Sequence, residues 1–192
     1  MRHWSWRAVI AAACLVSACA DPPNKEIDQA QGAIDAARAA GGERYAATEY
    51  TAATTSLKDA NEAVTQRDYR LALNHALASR EHAQNAAREA ADGKARTGAE
   101  VERTMAELAG LLAQANTRIA AAQKARVPAR ELRQPAADIE AANAVVQKAG
   151  EAINADDYLG AQAALQGVKD KILMAIAAID TATESQSPRR RR

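Results

Sequence analysis

Apolar residues recur along most of this chain at alternating spacings of three and four, the pattern of helices that bury one stripe against other helices. Five segments carry it. The first reads Ile27, Ala30, Ile34, Ala37 and ends at Gly41-Gly42, a pair that stops helices. The second reads Ala46, Tyr50, Ala53, Leu57, Ala60, Val64. The third begins Tyr69, Ala72, Ala76 and resumes after a polar stretch as Val101, Met105, Leu108, Leu112, Ala115, Ile119, Ala122. A fourth reads Leu132, Ile139, Ala142, Val146, Ala149, Ile153, and a fifth Tyr158, Ala161, Leu165, Val168, Ile172, Ala175, Ile179. No run alternates β-branched and aromatic residues in the manner of a strand. The predicted fold class is all-α.

The segments repeat. A shift of 89 positions places Ala52-Ala53 on Ala141-Ala142, Ala60 on Ala149, Glu62-Ala63 on Glu151-Ala152, Asp68-Tyr69 on Asp157-Tyr158 and Ala72 on Ala161. A shift of 85 places Ile27, Ala30, Ile34, Ala37 on Leu112, Ala115, Ile119, Ala122. Each half is thus three helical segments with a tight Asp-Tyr turn after the second, and short connections force antiparallel neighbours. The expected architecture is an elongated antiparallel helical bundle: two spectrin-like three-helix units, 27–92 and 101–183, sharing a long central helix through a junction at 93–100. Gly93 and Gly98 weaken that helix by about 1 kcal/mol each, and Thr97-Gly98-Ala99-Glu100 fits a capping box that would start a new one. Against a break, Ala90, Lys94, Thr97 and Val101 keep the spacing without a phase jump, and a continuous helix is expected. The fourth helix opens either at Pro128, with Pro135 inside it, or at Pro135 itself.

The first 26 residues follow a different pattern. Arg2 and Arg7 precede the apolar stretch Ala8–Val16, too short to span a bilayer. It ends in Val16-Ser17-Ala18-Cys19, which resembles the lipobox of bacterial lipoproteins. That resemblance implies a signal peptide at 1–18, diacylglycerol on Cys19 and a tether at 19–26; an ordinary leader cut near Ala18 or Ala20 is the competing reading. Cys14 leaves with the leader, so no disulfide is possible. Ala20 follows the cysteine where Asp would favour inner-membrane retention in such proteins, which favours the outer membrane.

Alanine, the strongest helix former, fills 52 of 192 positions, and phenylalanine is absent. Of 25 basic and 24 acidic residues, two arginines fall in the leader and four at Arg189, Arg190, Arg191 and Arg192, leaving 19 basic against 24 acidic in the body. A body charge of −5 offers no basic face to nucleic acid.

Tyr45-Ala46-Ala47-Thr48-Glu49, then Asp68-Tyr69 with Ala72, Ala76, Ala83 and Ala86, resemble an uncharacterised alanine-rich helical domain family of proteobacterial envelope lipoproteins. Residues 27–90 carry the resemblance well and 112–180 loosely, since Gly160 and Ile172 replace expected types, and the usual proline near Ala47 is missing. Elsewhere the domain precedes an OmpA-like peptidoglycan-binding domain, absent here. The resemblance implies no known activity.

Candidate chemistry is sparse. His75 and His82 lie seven apart, where metal pairs on a helix favour four, and are expected to be solvated. Asp68 and Asp157 precede helices that begin at tyrosine, where an aspartate caps backbone amides; this takes Asp156-Asp157 out of consideration as an acid–base pair. Tyr69 and Tyr158 are expected to pack at those turns. No cofactor, no metal and no enzymatic activity are expected. The stretch 184–192 reads as a disordered basic tail, whose arginines could hold phosphates of an anionic envelope polymer or serve only solubility. The functional expectation is a lipid-anchored, periplasm-facing envelope protein with a structural or tethering role. The alternative is a helical interaction module for a cell-wall enzyme or outer-membrane machine, favoured if Leu71, Leu77 or Leu111 is exposed.

Overall fold

The computed structural model describes residues 21–186, and these form seven helices and no strand. They are α1 (Asn24–Ala39), the single-turn α2 (Gly42–Tyr45), α3 (Ala47–Thr65), α4 (Tyr69–Lys124), α5 (Ala129–Asn154), α6 (Tyr158–Leu165) and α7 (Val168–Gln186). The chain divides into two compact units between Asp92 and Gly93. Helix α4 passes through that point unbroken for 56 residues. Thr97 does not cap a new helix: its Oγ1 donates to the Gly93 carbonyl 2.9 Å away, one turn back within α4.

The first unit comprises α1, α2, α3 and the first part of α4. Ser79 Oγ donates to the Ala53 carbonyl at 2.8 Å and His82 meets Glu49, so α3 and α4 run antiparallel. Arg80 donates to Gln29 across from α1, which runs parallel to α4. On α4 the buried line is Ala72, Ala76, Ser79, Ala83, Ala86 and Ala90, each without exposed surface. Opposite it stand Ala30, Ile34 and Ala37 of α1 and Tyr50, Ala53 and Leu57 of α3. A line of small side chains lets helix axes come close, since axial separation follows the side chains at the contact. Ala63 is buried on α3, while Val64, expected on the seam, is half-buried.

The second unit pairs the rest of α4 with α5, α6 and α7 around larger side chains: Val101, Leu108, Leu112, Leu132, Ile139, Leu165, Ile172 and Ile179. Three polar pairs run along the α4 side at one constant interval of 62 positions: Glu100–Gln162, Glu107–Lys169 and Arg118–Asp180. A constant offset means that α4 lies parallel to α6 and α7, in register. The fifth segment, expected as one helix, is two. Gln166 is extended and Gly167 takes φ +72°, a conformation glycine adopts without the Cβ penalty, yet α7 resumes on the same register. Helix α5 starts after Pro128 and holds Pro135 inside, buried against the core.

Three connections share one construction. Val64, Gln123 and Ile153 carbonyls accept from Arg67, Arg126 and Asp156, which take φ near +60°. The following amides, of Asp68, Val127 and Asp157, reach back to Ala63, Ala122 and Ala152. These are Schellman closures with a non-glycine residue in the left-handed position.

Candidate functional site

The residues to which the sequence assigns a function, Val16, Ser17, Ala18 and Cys19 and the tail Arg189, Arg190, Arg191 and Arg192, lie outside the described residues, as does the leader 1–18. Within the described chain, three clusters of polar groups remain, and each is placed by a specific turn or seam.

The first sits where α1 hands over to α3. Gly41 closes α1 at φ +89°, and Gly42 packs so tightly that a Cβ there would stand 2.8 Å from the Ala37 carbonyl oxygen. This corner brings Glu43 to Arg38 at 3.2 Å, with Asp35 on the other side of the guanidinium at 3.0 Å and the Tyr50 ring 5.9 Å from it. The hydrogen bond to Glu43, then the Tyr50 hydroxyl, hold the Arg38 guanidinium above its ordinary value. Burial, with Glu43 next, raises the Tyr50 phenol, and Arg38 opposes both. One turn along α3, Glu49 Oε2 meets His82 Nδ1 of α4 at 2.8 Å, and both side chains are partly covered. The bond to His82 lowers the Glu49 carboxyl against a burial effect of opposite sign, with Asn85 contributing less. His82 is therefore not the free histidine that a spacing of seven from His75 implied. Its partner is 33 positions away on another helix. Among the described residues no three His, Cys, Asp or Glu side chains gather as a metal would need.

Second come the two Asp-Tyr turns, one in each unit. Asp68 Oδ1 accepts from the Leu71 amide at 3.0 Å and Asp157 Oδ1 from the Gly160 amide at 3.2 Å. Both aspartates are helix caps, and Asp156 instead reaches Lys94 at 3.3 Å. Tyr158 lies over Gly98, where a Cβ would stand 3.3 Å from its ring, and Lys94 approaches the ring to 5.8 Å. Gly98 is thus a seat for an aromatic ring within α4. No sequence signal short of the pairing itself marks it as such.

The third set is two open grooves. One, of ≈ 500 Å³, runs between α1 and α3 over a floor of Ile34 and Leu57, with Gln31, Arg38, Lys58 and Glu62 among its walls. The other, of ≈ 480 Å³, lies in the second unit beside Glu100, Arg103 and Gln162. Of the three leucines singled out for exposure, Leu71 and Leu77 are exposed, at 41% and 38%, whereas Leu111 packs against the second core. Leu173 and Met174 on α7 are exposed as well, which the periodicity of the fifth segment did not mark.

No described helix is long and apolar enough to cross a membrane. No curated protein and no solved structure matches the chain. Residues 25–101, which take in α1 to α3 and the first part of α4 through Val101, match the family model described as a domain of unknown function (DUF4398).

Proposed function

We propose that this chain is a lipid-anchored protein of the bacterial envelope whose helical units have a structural or tethering role rather than a catalytic one. The observation that carries the reading is Val16-Ser17-Ala18-Cys19 directly after a short apolar stretch behind Arg2 and Arg7. Two or three acyl chains, at about 0.8 kcal/mol per buried methylene, make such an anchor effectively permanent. The described part supports the reading by what its polar groups do. Asp68 and Asp157 cap helices, Glu49 and His82 tie α3 to α4, and Arg118–Asp180 and Glu107–Lys169 align α4 with α7. The two Asp-Tyr turns, built alike 89 positions apart, support an origin by duplication of one three-helix unit.

In this reading Ala20 directs the protein to the outer membrane, facing the periplasm, and the lineage is that of proteobacterial envelope lipoproteins. The tail Arg189–Arg192 holds an anionic envelope polymer by bidentate contacts to phosphate. The test is metabolic labelling. Labelled palmitate should enter the wild-type protein and not Cys19→Ser, and density fractionation should place the labelled form with the outer membrane. Label retained in Cys19→Ser would end the anchor reading, and label confined to the inner membrane would end only the assignment to the outer one.

Exposed Leu71, Leu77, Leu173 and Met174 favour a second reading, an interaction module whose helical surface binds another envelope protein. Crosslinking in intact cells through Met174, compared with an exposed polar position such as Lys58, distinguishes the two.

A further inference from the structure

We infer that the turn between α3 and α4 is a membrane-contacting surface, with Tyr69 and Leu71 placed among lipid headgroups and Arg67 and Arg70 reaching their phosphates. The inference rests on the proposed anchor at Cys19, and the geometry of the first unit does the rest. Helices α1 and α3 are antiparallel, so the start of α1 and the end of α3 lie at the same end of the unit. The groove they share confirms this, Gln31 standing on it with Asn61, Glu62 and Thr65. Arg80 meets Gln29, so in a parallel pair Asn24 stands level with the residue at 75 of α4. Helix α4 therefore extends six residues beyond the first residue of α1, about 9 Å. From Asn24 the chain has five residues to Cys19, a reach of at most about 17 Å even when fully extended. Pro22 and Pro23 stiffen that stretch, and Pro23 is buried against the unit. The level of the α3–α4 turn is thus within the reach of an acylated Cys19.

What the turn presents fits a lipid interface. Leu71 and Leu77, two of the four exposed large apolar side chains among the described residues, fall in the first nine residues of α4. Tyr69 is half-exposed, and exposed Arg67 and Arg70 flank it. Amphipathic tyrosine and snorkelling arginine beside leucine are the residue types that settle at the headgroup level. Asp68, between them, is exposed and engaged in capping the Leu71 amide. Carboxylates at the same end, Asp21, Glu26, Asp28 and Glu62, keep the turn from being a basic patch, so contact should depend on the bilayer's presence more than on its content of anionic lipid.

The mature chain contains no tryptophan, because Trp4 and Trp6 both precede Cys19, so a single introduced indole reports its own surroundings. Leu71→Trp replaces an exposed side chain and leaves the cap intact. Glu43→Trp, on α2 at the opposite end of the unit, is the control. Each full-length variant, processed from its own leader, is purified with its lipid and reconstituted in vesicles of phosphatidylethanolamine and phosphatidylglycerol carrying headgroup-proximal spin-labelled lipid. Emission from Leu71→Trp should shift to the blue and lose most of its intensity to the quencher, and emission from Glu43→Trp should do neither. Arg67→Gln with Arg70→Gln should weaken the quenching of Leu71→Trp. Equal, weak quenching of both indoles in protein that carries palmitate would overturn the inference and leave the anchor standing. Protein without palmitate that does not associate with vesicles would overturn both.

Discussion

Tyr45 packs against the first core with a hydroxyl that is buried and without a hydrogen-bond partner. An orphaned donor of this kind costs about 1–3 kcal/mol, so Tyr45→Phe should raise the stability of the first unit by about 1 kcal/mol in urea unfolding, with the slope unchanged. Glu49 leads to a prediction in pH. Its carboxyl titrates below the ordinary glutamate range when folded because it accepts from His82. The stability it contributes is complete above the unfolded value and is lost as pH falls through the lowered folded one. Wild type should therefore exceed Glu49→Gln in melting temperature above the ordinary glutamate range, and the gap should close as pH falls through the lowered folded value; a gap that persists below it would refute the pairing. The two aspartate caps were legible in the sequence because capping is local, decided within four residues. The partner of His82 was not, because it depends on how α3 and α4 dock. The same holds for the buried hydroxyl of Tyr45, whose residue type is common at half-covered positions.

At the scale of elements, periodicity located the helical stretches and the path of α4 through Gly93, since a seam that keeps its phase leaves nothing to gain from a break. The turns after α3, α4 and α5 were placed as well, but not the way they close. Arg67, Arg126 and Asp156 close helices in a left-handed conformation that sequence reasoning assigns to glycine or asparagine. Each bears a steric cost of about 1–2 kcal/mol, partly offset by the chain entropy that a glycine would lose. Arg126→Gly should accordingly stabilise the second unit by about 0.5–1 kcal/mol. Gly167 shows the converse: one glycine splits the fifth segment without moving its register, so spacing alone could not reveal the break. Gly98 was read as a weakness of α4 and is the place where Tyr158 rests. Gly98→Ala should thus gain little or lose stability in wild type, yet gain about 1 kcal/mol of helix propensity in a Tyr158→Ala background. A double-mutant cycle measures that difference directly.

For the molecule as a whole, α4 is shared while the two cores are distinct in content, alanine-lined in the first unit and rich in leucine and isoleucine in the second. Leu57→Asp and Leu165→Asp each bury a carboxylate in one core, at a cost of several kcal/mol. Hydrogen exchange should show the amides of the affected unit losing protection well before those of the other; equal loss in both would mean that α4 couples them into one cooperative body. The division into two units was legible from the repeated spacing. The identity of the grooves and of the exposed α7 face was not, because those depend on which sides of each helix its neighbours leave open. The small-residue line along the first part of α4 has a consequence for how such a chain can vary over generations. Every alanine codon is one base change from serine, glycine, threonine, valine, proline or an acidic residue. At Ala72, Ala76, Ala83, Ala86 and Ala90 only the first two fit the space, serine finding a carbonyl as Ser79 does at Ala53. Of the amino-acid replacements that a single base change can make there, most are rejected on volume or charge alone, and lineages carrying this helix must diversify along its outer faces.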